Sequence, residues 1–453
     1  MEKVLYHFEK ICKIPRNSGN EKAIADFLVE FAKQHNFHWY KDAFNNVLIK
    51  KTNPNKTPIL LQAHTDMVCV KDQDFDFDFS TQPIQLVKKG DYLFANKTSL
   101  GADNGIGVAM ILSLLEEDND CNIEALFTTD EEVTMTGSIN FDYSLLSTNK
   151  AISFDGFDEE EIIAGCASIC DMKVMTNNNF LPCNKQGYSL VISGLLGGHS
   201  GYNISNKSIG NAIKICAEIL KNFKELELED MQSGKQFNFI PNHCTTSFAT
   251  TASFEDVKNE ALKIKQKYIA KYPALCIDVV QTQVLKSLSK QTSKNIVDFI
   301  NNTPVGVVVG TPENISLSQN LACVDLQNSL IKISMRGHDT KLEDDNIAFL
   351  EQQCKNYGFV FEIFDKQKGF KTPENSTLTT LAKEEFKKHF NKEIKPTVKH
   401  ISIEGAIFAD KIKDLDFIVV SPRVENAHST KESVYIPSIQ TAYTLAKNIL
   451  KHF

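Results

Sequence analysis

The residues best suited to chemistry begin with His64-Thr65-Asp66, which completes the apolar segment PILLQAH (58–64). Side chains two residues apart on an extended chain point to the same side, so Asp66 can accept a hydrogen bond from the imidazole of His64. A histidine that binds a metal usually donates its second ring N–H to a carboxylate in this way. The pattern is typical of a metal ligand with its orienting acid, although a surface histidine beside an aspartate has the same spacing.

Further acids and a second histidine follow other predicted strands. Glu131 and Glu132 come directly after ALFTTD, Asp155 ends AISFD, and His428 follows the apolar segment DFIVV. Neighbouring carboxylates repel one another unless a cation lies close to them. A solvated acidic cluster is the alternative interpretation of Glu131 and Glu132, and it stays open on spacing alone.

Asp103 lies in SLGADNGIGVA, where three glycines permit a tight turn immediately before a long apolar helix. A helix N-cap formed by Asp103 or Asn104 is one interpretation of this position. A phosphate-binding loop is disfavoured because the segment lacks the Walker spacing and its lysine. A metal-binding carboxylate is the third interpretation.

Together these positions bring two imidazoles and several carboxylates to the carboxyl ends of predicted sheet strands. Nitrogen and oxygen ligands without a thiolate suit zinc, with manganese or cobalt as substitutes. Two ions about 3.5–4 Å apart that share one carboxylate would use the whole set. The sequence therefore predicts a two-metal centre.

The elements that must position these residues alternate between strand and helix. This alternation predicts an α/β domain with a mixed sheet and helices on both faces. From about residue 187 the order becomes β-α-β-β-α-β and is loosely repeated as far as 359–365, which fits either two tandem ferredoxin-like units or one irregular α+β domain. We expect a catalytic domain of residues 1–186 plus 371–453, interrupted by an inserted lid domain of residues 187–370.

Length and composition set wider limits on the class of protein. The 453 residues suggest two domains, and the net charge of −8 without a lysine-rich or arginine-rich segment disfavours nucleic acid or an anionic membrane as partner. The N-terminal segment lacks the apolar region of a signal peptide, and no apolar stretch is long enough to cross a membrane. The eleven cysteines follow no regular framework, so we expect reduced thiols and a cytoplasmic location.

The sequence resembles the M20 metallopeptidase family, and within it the aminoacyl-histidine dipeptidase branch. The segments that carry the resemblance occur in the order usual for the family and cover nearly the whole chain. These segments are FEKICKIPRNSGNE, LLQAHTDMV, TSLGADNGIGVA, TTDEEVTMTGS, ISFDGFDEEEIIAGCA, GLLGGHSG, HISIEGAIFADK and SPRVENAHSTKESV.

The resemblance implies how a pair of zinc ions would be held. His64 and Asp155 would bind one ion, Glu132 and His428 would bind the other, and Asp103 would bridge the two. The substrates implied are small dipeptides, in particular those with a C-terminal histidine.

Five more roles are implied by the resemblance. Asp66 would orient the first histidine, and Glu131 would be the general base. His199 of GGHSG would stabilise the developing oxyanion from the lid, and Asn238 and Arg336 would contact the substrate there.

Three parts of the chain depart from the pattern of the family. The segment around His400 and Glu404 reads HISIEGA instead of HAGLECG, His243 replaces a common arginine, and Thr430 replaces a common proline. None of these is an implied metal ligand, but the segments that contain them are expected to line the substrate pocket. The preference for Xaa-His dipeptides is therefore implied by the branch and does not follow from the residues.

Other functions compete with a dipeptidase. An N-acyl amino acid amidohydrolase of the same family would have the same metal site, and a non-catalytic peptide-binding relative is the candidate of another class. A cysteine hydrolase using Cys69 is disfavoured by its apolar neighbours Val68 and Val70. We expect a homodimer, with His199 supplied by a second subunit if the lid is not duplicated.

Overall fold

The predicted alternation of strands and helices is present in the structure, a computed structural model that describes residues 1–118 and 120–453. Its α-helices are α1 (Glu2–Ile11), α2 (Lys22–Gln34), α3 (Ala102–Leu115), α4 (Thr136–Asn140), α5 (Ala212–Leu220), α6 (Phe254–Ile269), α7 (Lys290–Asn302), α8 (Thr340–Tyr357), α9 (Thr377–Phe390), α10 (Gly405–Lys411) and α11 (Ile436–Leu450).

The strands alternate with these helices through most of the chain. They are β1 (His38–Lys41), β2 (Val47–Lys51), β3 (Pro58–His64), β4 (Leu86–Lys89), β5 (Tyr92–Ala95), β6 (Asn122–Thr128), β7 (Lys150–Ser153), β8 (Glu161–Cys166), β9 (Ser168–Met175), β10 (Leu181–Ser193), β11 (Gly198–His199), β12 (Glu227–Ser233), β13 (Phe239–Ile240), β14 (Cys244–Ala249), β15 (Cys276–Ser287), β16 (Gly306–Thr311), β17 (Asn314–Asp325), β18 (Leu330–Gly337), β19 (Val360–Gln367), β20 (Phe370–Lys371), β21 (Lys395–Lys399), β22 (Asp416–Val419), β23 (Val424–Glu425) and β24 (Ser433–Tyr435).

The chain divides into two compact units. The first contains Met1–Cys166, Phe370–Lys399 and Ile403–Phe453, and the second contains Ala167–Gly369 and His400–Ser402. The fold class expected from the sequence, an α/β domain interrupted by an inserted α+β segment, is confirmed.

The first unit is built on a mixed sheet with the strand order β1-β2-β6-β3-β7-β22-β8-β20, to which β21 adds by pairing with β8. The four central strands β6, β3, β7 and β22 run parallel to one another. Helix α3 is buried along its whole length because its sequence is apolar on every face. Parallel central strands bring their carboxyl ends to a single edge of the sheet, where α/β proteins place ligand sites.

The second unit is built on one antiparallel sheet with the order β15-β10-β14-β12-β17-β18-β9-β19, with β16 paired to β17. The elements β10, α5, β12, β14, α6 and β15 form one β-α-β-β-α-β module. A second module consists of β9, α7, β17, β18, α8 and β19, and it joins the first through the pairing of β12 with β17. Two ferredoxin-like modules therefore share one continuous sheet.

The expected boundary at residue 187 is wrong, because β9 belongs to the second unit. This strand pairs with β18 on one side and with β19 on the other, from Ser168 to Met175. Its sequence alternates between buried and half-buried residues, as expected for a strand with one covered face. Residues 167–186, assigned to the first domain from the sequence, thus supply the first strand of the second module.

Within residues 1–118 and 120–453, no helix combines the length and the apolar character that crossing a membrane would require.

Candidate metal centre

The predicted site residues of the first unit follow the ends of its central strands. His64 is the last residue of β3 and lies in register with Thr128, the last residue of β6. Glu131 and Glu132 follow β6, while Asp155 follows β7, whose last residue pairs with Val419 of β22. His428 lies in the turn between β23 and β24. The sheet register therefore gathers side chains that are far apart in the sequence.

Asp103 reaches the same cluster from the start of α3, where Asp103 and Asn104 have non-helical backbone angles. The preceding Gly101 has a positive φ of 68°. A Cβ atom at this position would collide with the guanidinium of Arg16 and would lie 2.7 Å from the sulfur of Met67. Glycine is therefore required at position 101 for both conformation and space.

The two carboxylate oxygens of Asp103 face two different histidines. Oδ1 lies 3.1 Å from Nε2 of His64, and Oδ2 lies 3.2 Å from Nε2 of His428. Nε2 of His428 is also 2.9 Å from Oε2 of Glu132, and Nε2 of His64 is 3.8 Å from Oδ1 of Asp155. Two ligands of one tetrahedral zinc ion lie about 3.3 Å apart, so the donor set and its spacing fit a pair of ions.

The possible ligand atoms form two groups, and His64 belongs to both. Within each group, all the ligand atoms lie within 4.8 Å of one another. One group is His64, Glu131 and Asp155, and the other is His64, Asp103 and Glu132. The first group places the predicted base Glu131 beside two predicted ligands. His428 is in neither group, although its ring contacts Asp103 and Glu132 directly.

Asp66 connects the parts of this cluster. Its Oδ1 lies 3.3 Å from Nδ1 of His64, in the arrangement predicted from the sequence. The same carboxylate accepts hydrogen bonds from the backbone N–H groups of Glu131 and Glu132, at 3.1 and 3.2 Å. Ser18 donates a further hydrogen bond of 2.8 Å. Asp66 therefore lies beside the ring of His64 and holds the backbone N–H groups of both glutamates.

The cluster is electrostatically suited to cations. Burial, together with the charge of Asp155, raises the pKa of Glu131 well above its ordinary value. Burial also raises the pKa of Asp155 to about 8, with Asp103 contributing and His64 opposing. Burial and the charge of Asp103 likewise raise the pKa of Glu132. Carboxyl groups that are hard to ionise together become stable carboxylates once a cation balances them.

The pKa values of the two histidines are also raised, but here the neighbouring carboxylates cause the shift and burial opposes it. Burial favours neutral rings, but the hydrogen bond with Asp103 and the neighbouring carboxylates raise the pKa of His428 to about 11. Hydrogen bonds with Asp103 and Asp66 also raise the pKa of His64 well above its ordinary value, again against burial. A histidine binds a metal as the neutral ring, so metal binding must displace protons here.

We therefore expect the affinity for zinc to weaken as the pH falls. Below its raised pKa each histidine holds a proton that the metal must displace, and each displaced proton lowers the apparent affinity about tenfold per pH unit. Calorimetric titration of chelator-treated protein with zinc at about pH 6, 7 and 8, in buffers of different ionisation enthalpy, measures the affinity for zinc and the number of protons released. Affinity that is independent of pH, without proton release, would contradict this expectation.

Three supporting residues were not assigned roles from the sequence. Arg16 donates hydrogen bonds to the carbonyl oxygens of Thr65, Asp66 and Gly101, and so joins the turn before α3 to the end of β3. Glu432 accepts hydrogen bonds from four backbone N–H groups at the start of α3. Arg16 and Glu432 both bind backbone atoms, and the spacing of residues in the sequence does not predict such contacts.

Glu404 is the third supporting residue. Its buried carboxylate accepts hydrogen bonds from Gln62 at 2.5 Å, from Thr128 at 2.9 Å and from Ser138. These donors lie on β3, at the end of β6 and on α4. Glu404 therefore joins the strand ends that carry His64 and Glu131, and the sequence showed it only as a matched position in HISIEGA.

In the second unit, His199 and Asn238 lie on two paired segments. His199 of β11 is opposite Phe239 of β13, and the N–H of Ser200 donates to the carbonyl oxygen of Asn238 at 2.7 Å. Nδ1 of the His199 ring accepts hydrogen bonds from the N–H groups of Gly201 and Tyr202, at 3.1 and 3.3 Å. The ring proton is therefore on Nε2, which makes His199 a neutral donor.

Arg336 lies on β18 opposite Ser318 of β17 and is buried. Ser318 also contacts His400, whose Nδ1 lies 3.1 Å from Nε2 of His338. Burial, with the charges of His338 and Arg336, lowers the pKa of His400 to about 3. The predicted substrate residue Arg336 thus lies close enough to His400 for its charge to affect the pKa of that histidine.

The cysteines offer no second centre among the described residues. All eleven are free thiols, and burial raises the pKa of Cys69 to about 11. A thiol with so high a pKa is a poor nucleophile at neutral pH.

A mixed α/β unit whose strand ends gather histidines and carboxylates is typical of a metallohydrolase. The sequence model of peptidase family M20/M25/M40 matches residues 60–452, and the chain belongs to this family. The family resemblance seen in the sequence is thereby confirmed, and the protein is a metallopeptidase.

Individual relatives are similar over nearly the whole chain. The cytosol non-specific dipeptidase of Escherichia coli strain K12 is 30% identical over 467 residues, covering 98% of this chain and 96% of that protein. The crystal structure of aminoacylhistidine dipeptidase from Vibrio alginolyticus matches with a TM-score of 0.81 and 26% identity, covering 99% of this chain and 96% of that one.

A more distant structure shares the fold. A dinuclear metal-binding peptidase of the M20 family from Bacillus subtilis matches with a TM-score of 0.51 and 10% identity, covering 99% of this chain and 97% of that one.

Proposed function

We propose that this protein is a two-zinc dipeptidase that hydrolyses unblocked dipeptides, including Xaa-His and carnosine-type substrates. The observation that carries the proposal is the position of Asp103, whose two oxygens face histidines from different parts of the chain. A carboxylate shared between two imidazoles is suited to holding a pair of metal ions. The identity to the Escherichia coli dipeptidase supports a dipeptide as substrate.

In this proposal the ligands divide as the family resemblance implies. His64 and Asp155 hold one ion, Glu132 and His428 hold the other, and Asp103 is shared. When bound, the zinc pair polarises the scissile carbonyl group and lowers the pKa of water toward about 7, and manganese or cobalt are possible substitutes in this role.

Glu131 is the general base of the proposed reaction. Its carboxylate takes a proton from the attacking water and returns it to the nitrogen of the leaving amine. This role requires the ionised form, which nearby cations favour despite the burial that raises the pKa of Glu131. Asp66 supports the step by holding the backbone N–H of Glu131.

We assign the first unit as the catalytic domain and the second unit as the lid. His199 donates through Nε2–H to the oxyanion that forms at the carbonyl oxygen, and the loss of one such donor typically costs about 10²–10³ in rate. Asn238 and Arg336 contact the substrate from the same unit. The fixed tautomer of His199 supports a neutral donor over a charged imidazolium in this role.

A substrate panel tests the proposal against its main rival. Zinc-loaded protein is assayed with carnosine, alanyl-histidine and dipeptides lacking histidine, and in parallel with N-acetyl amino acids. We expect cleavage of the unblocked dipeptides. Cleavage of acylated amino acids without any turnover of dipeptides would establish an amidohydrolase instead, and purified protein that neither retains nor responds to zinc would indicate a peptide-binding relative.

Two further proposals concern the setting of the protein. A cytoplasmic location agrees with the name of the Escherichia coli relative, a cytosol dipeptidase. The homodimer expected from the sequence stays a prediction, which light scattering coupled to gel filtration tests directly.

A further inference from the structure

Glu432 makes an unusual set of contacts at the start of α3. Its side chain is buried, with 2% exposure. Oε2 accepts hydrogen bonds from the N–H groups of Leu100 and Gly101, at 2.8 and 2.9 Å. Oε1 accepts from Ala102 at 2.8 Å and from Asp103 at 3.3 Å. One carboxylate thus holds four consecutive peptide groups, the last of which belongs to Asp103.

The same residue is closely connected to His428. The N–H of Glu432 donates to the carbonyl oxygen of Ser429 at 3.1 Å, and the Ser429 hydroxyl donates to the carbonyl oxygen of Asn426 at 2.7 Å. His428 itself has a positive φ of 63° within this turn. The turn therefore leaves little freedom between the backbone of Glu432 and that of His428.

We propose that Glu432 is a positioning residue that holds Asp103 and His428 in the spacing needed to bind the same metal ion. The proposal rests on the metal assignments of the proposed function. Arg16 restrains the opposite side of the same turn through the carbonyl oxygen of Gly101. Oδ2 of Asp103 consequently stays within 3.2 Å of Nε2 of His428 although 325 residues separate the two in the sequence.

A simpler role for Glu432 is that of a helix cap, because a carboxylate at a helix N-terminus stabilises the helix. A cap and a positioning residue differ in what their loss changes. Loss of a cap lowers stability and leaves metal affinity intact in the folded protein. Loss of a positioning residue changes the binding of metal in a protein that still folds.

The two ions should also respond unequally. Glu432 acts on Asp103 and His428, which are two ligands of one proposed ion. The other proposed ion loses only the support of Asp103, because His64 ends β3 and Asp155 follows β7, both in the central sheet. Weakening of one ion more than the other is therefore the specific signature of this role.

The test compares Glu432→Gln with Glu124→Gln. Glutamine keeps the size of the side chain but replaces one acceptor oxygen with a donor that faces backbone N–H groups. Glu124 is an equally buried control on β6, with 2% exposure and hydrogen bonds from Lys50 and from the backbone and hydroxyl of Ser147. Chelator-treated proteins are titrated with zinc against a chromophoric competitor, and their unfolding temperatures are measured in parallel.

We expect two ions in the native protein and in the control, and one tight ion in Glu432→Gln with the second weakened by about 10–100-fold. Two ions of native affinity in folded Glu432→Gln would overturn the proposal, as would equal weakening of both. If Glu432→Gln does not fold, Glu432→Asp decides in the same way, because its shorter side chain cannot reach all four N–H groups. A native protein that binds no second ion would refute the proposed function itself, a separate result.

Discussion

Replacement of Glu131 by glutamine is expected to lower kcat by about 10²–10⁴-fold while both metal ions stay bound. The amide cannot accept the proton that the carboxylate takes from the attacking water. The variant keeps its backbone hydrogen bond to Asp66, so the geometry around the site is preserved. Steady-state rates on a dipeptide, together with elemental analysis of the same samples, measure the two quantities.

The control for this variant is again Glu124→Gln, which removes a buried carboxylate of the same unit outside the cluster. The outcome also separates two roles for Glu131, because its carboxylate lies within 4.8 Å of possible ligand atoms of His64 and Asp155. Loss of an ion in proportion to activity would make Glu131 a ligand, and native turnover would exclude it as the base.

Asp103→Asn is expected to have the largest effect on metal binding. Asparagine keeps the shape of the side chain but removes the charge and leaves only one oxygen, so it cannot serve both histidines. We expect the affinity for zinc to fall by more than about 100-fold, beyond what the loss of an outer partner usually costs. Turnover should fall to background at zinc concentrations that saturate the native protein.

Asp416→Asn provides the matched control for Asp103→Asn. Asp416 is also buried in the first unit, where it accepts hydrogen bonds from Ser376 and from the N–H of Leu378. This variant should keep two ions and native turnover even if its unfolding temperature falls. An Asp103→Asn protein that retains both ions with native affinity would show that the carboxylate is not shared.

The positions of the cluster followed from sequence because its residues come at the ends of apolar strands. His64, Asp155 and the Glu131–Glu132 pair are marked by short buried segments, and parallel strands bring such ends to one edge. The residues that support the cluster could not be predicted from the sequence, for a physical reason. Arg16 and Glu432 bind backbone atoms that any residue would present, so the identity of the residues they contact carries no signal.

The domain boundary was predicted at the wrong residue for a related reason. The alternating pattern of β9 identifies a strand but not its partners, which lie at 330–337 and 360–367. Pairing over such distances depends on the whole sheet. The tautomer of His199 likewise follows from two backbone N–H groups in the turn after it, a geometry that no residue pattern specifies.

The point in the chain at which the second unit is inserted into the first has a consequence for how such a protein can evolve. Cys166 of β8 pairs directly with Phe370 of β20, so the two ends of the long insertion meet as neighbours in the sheet. On the other side, Ile169 of β9 pairs with Gln367 of β19 in the same manner. Insertions whose ends lie close together are tolerated by a host domain. A short hairpin turn between β8 and β20 would connect the same two strands, and a whole domain can replace such a turn without altering the strands that carry the proposed metal ligands.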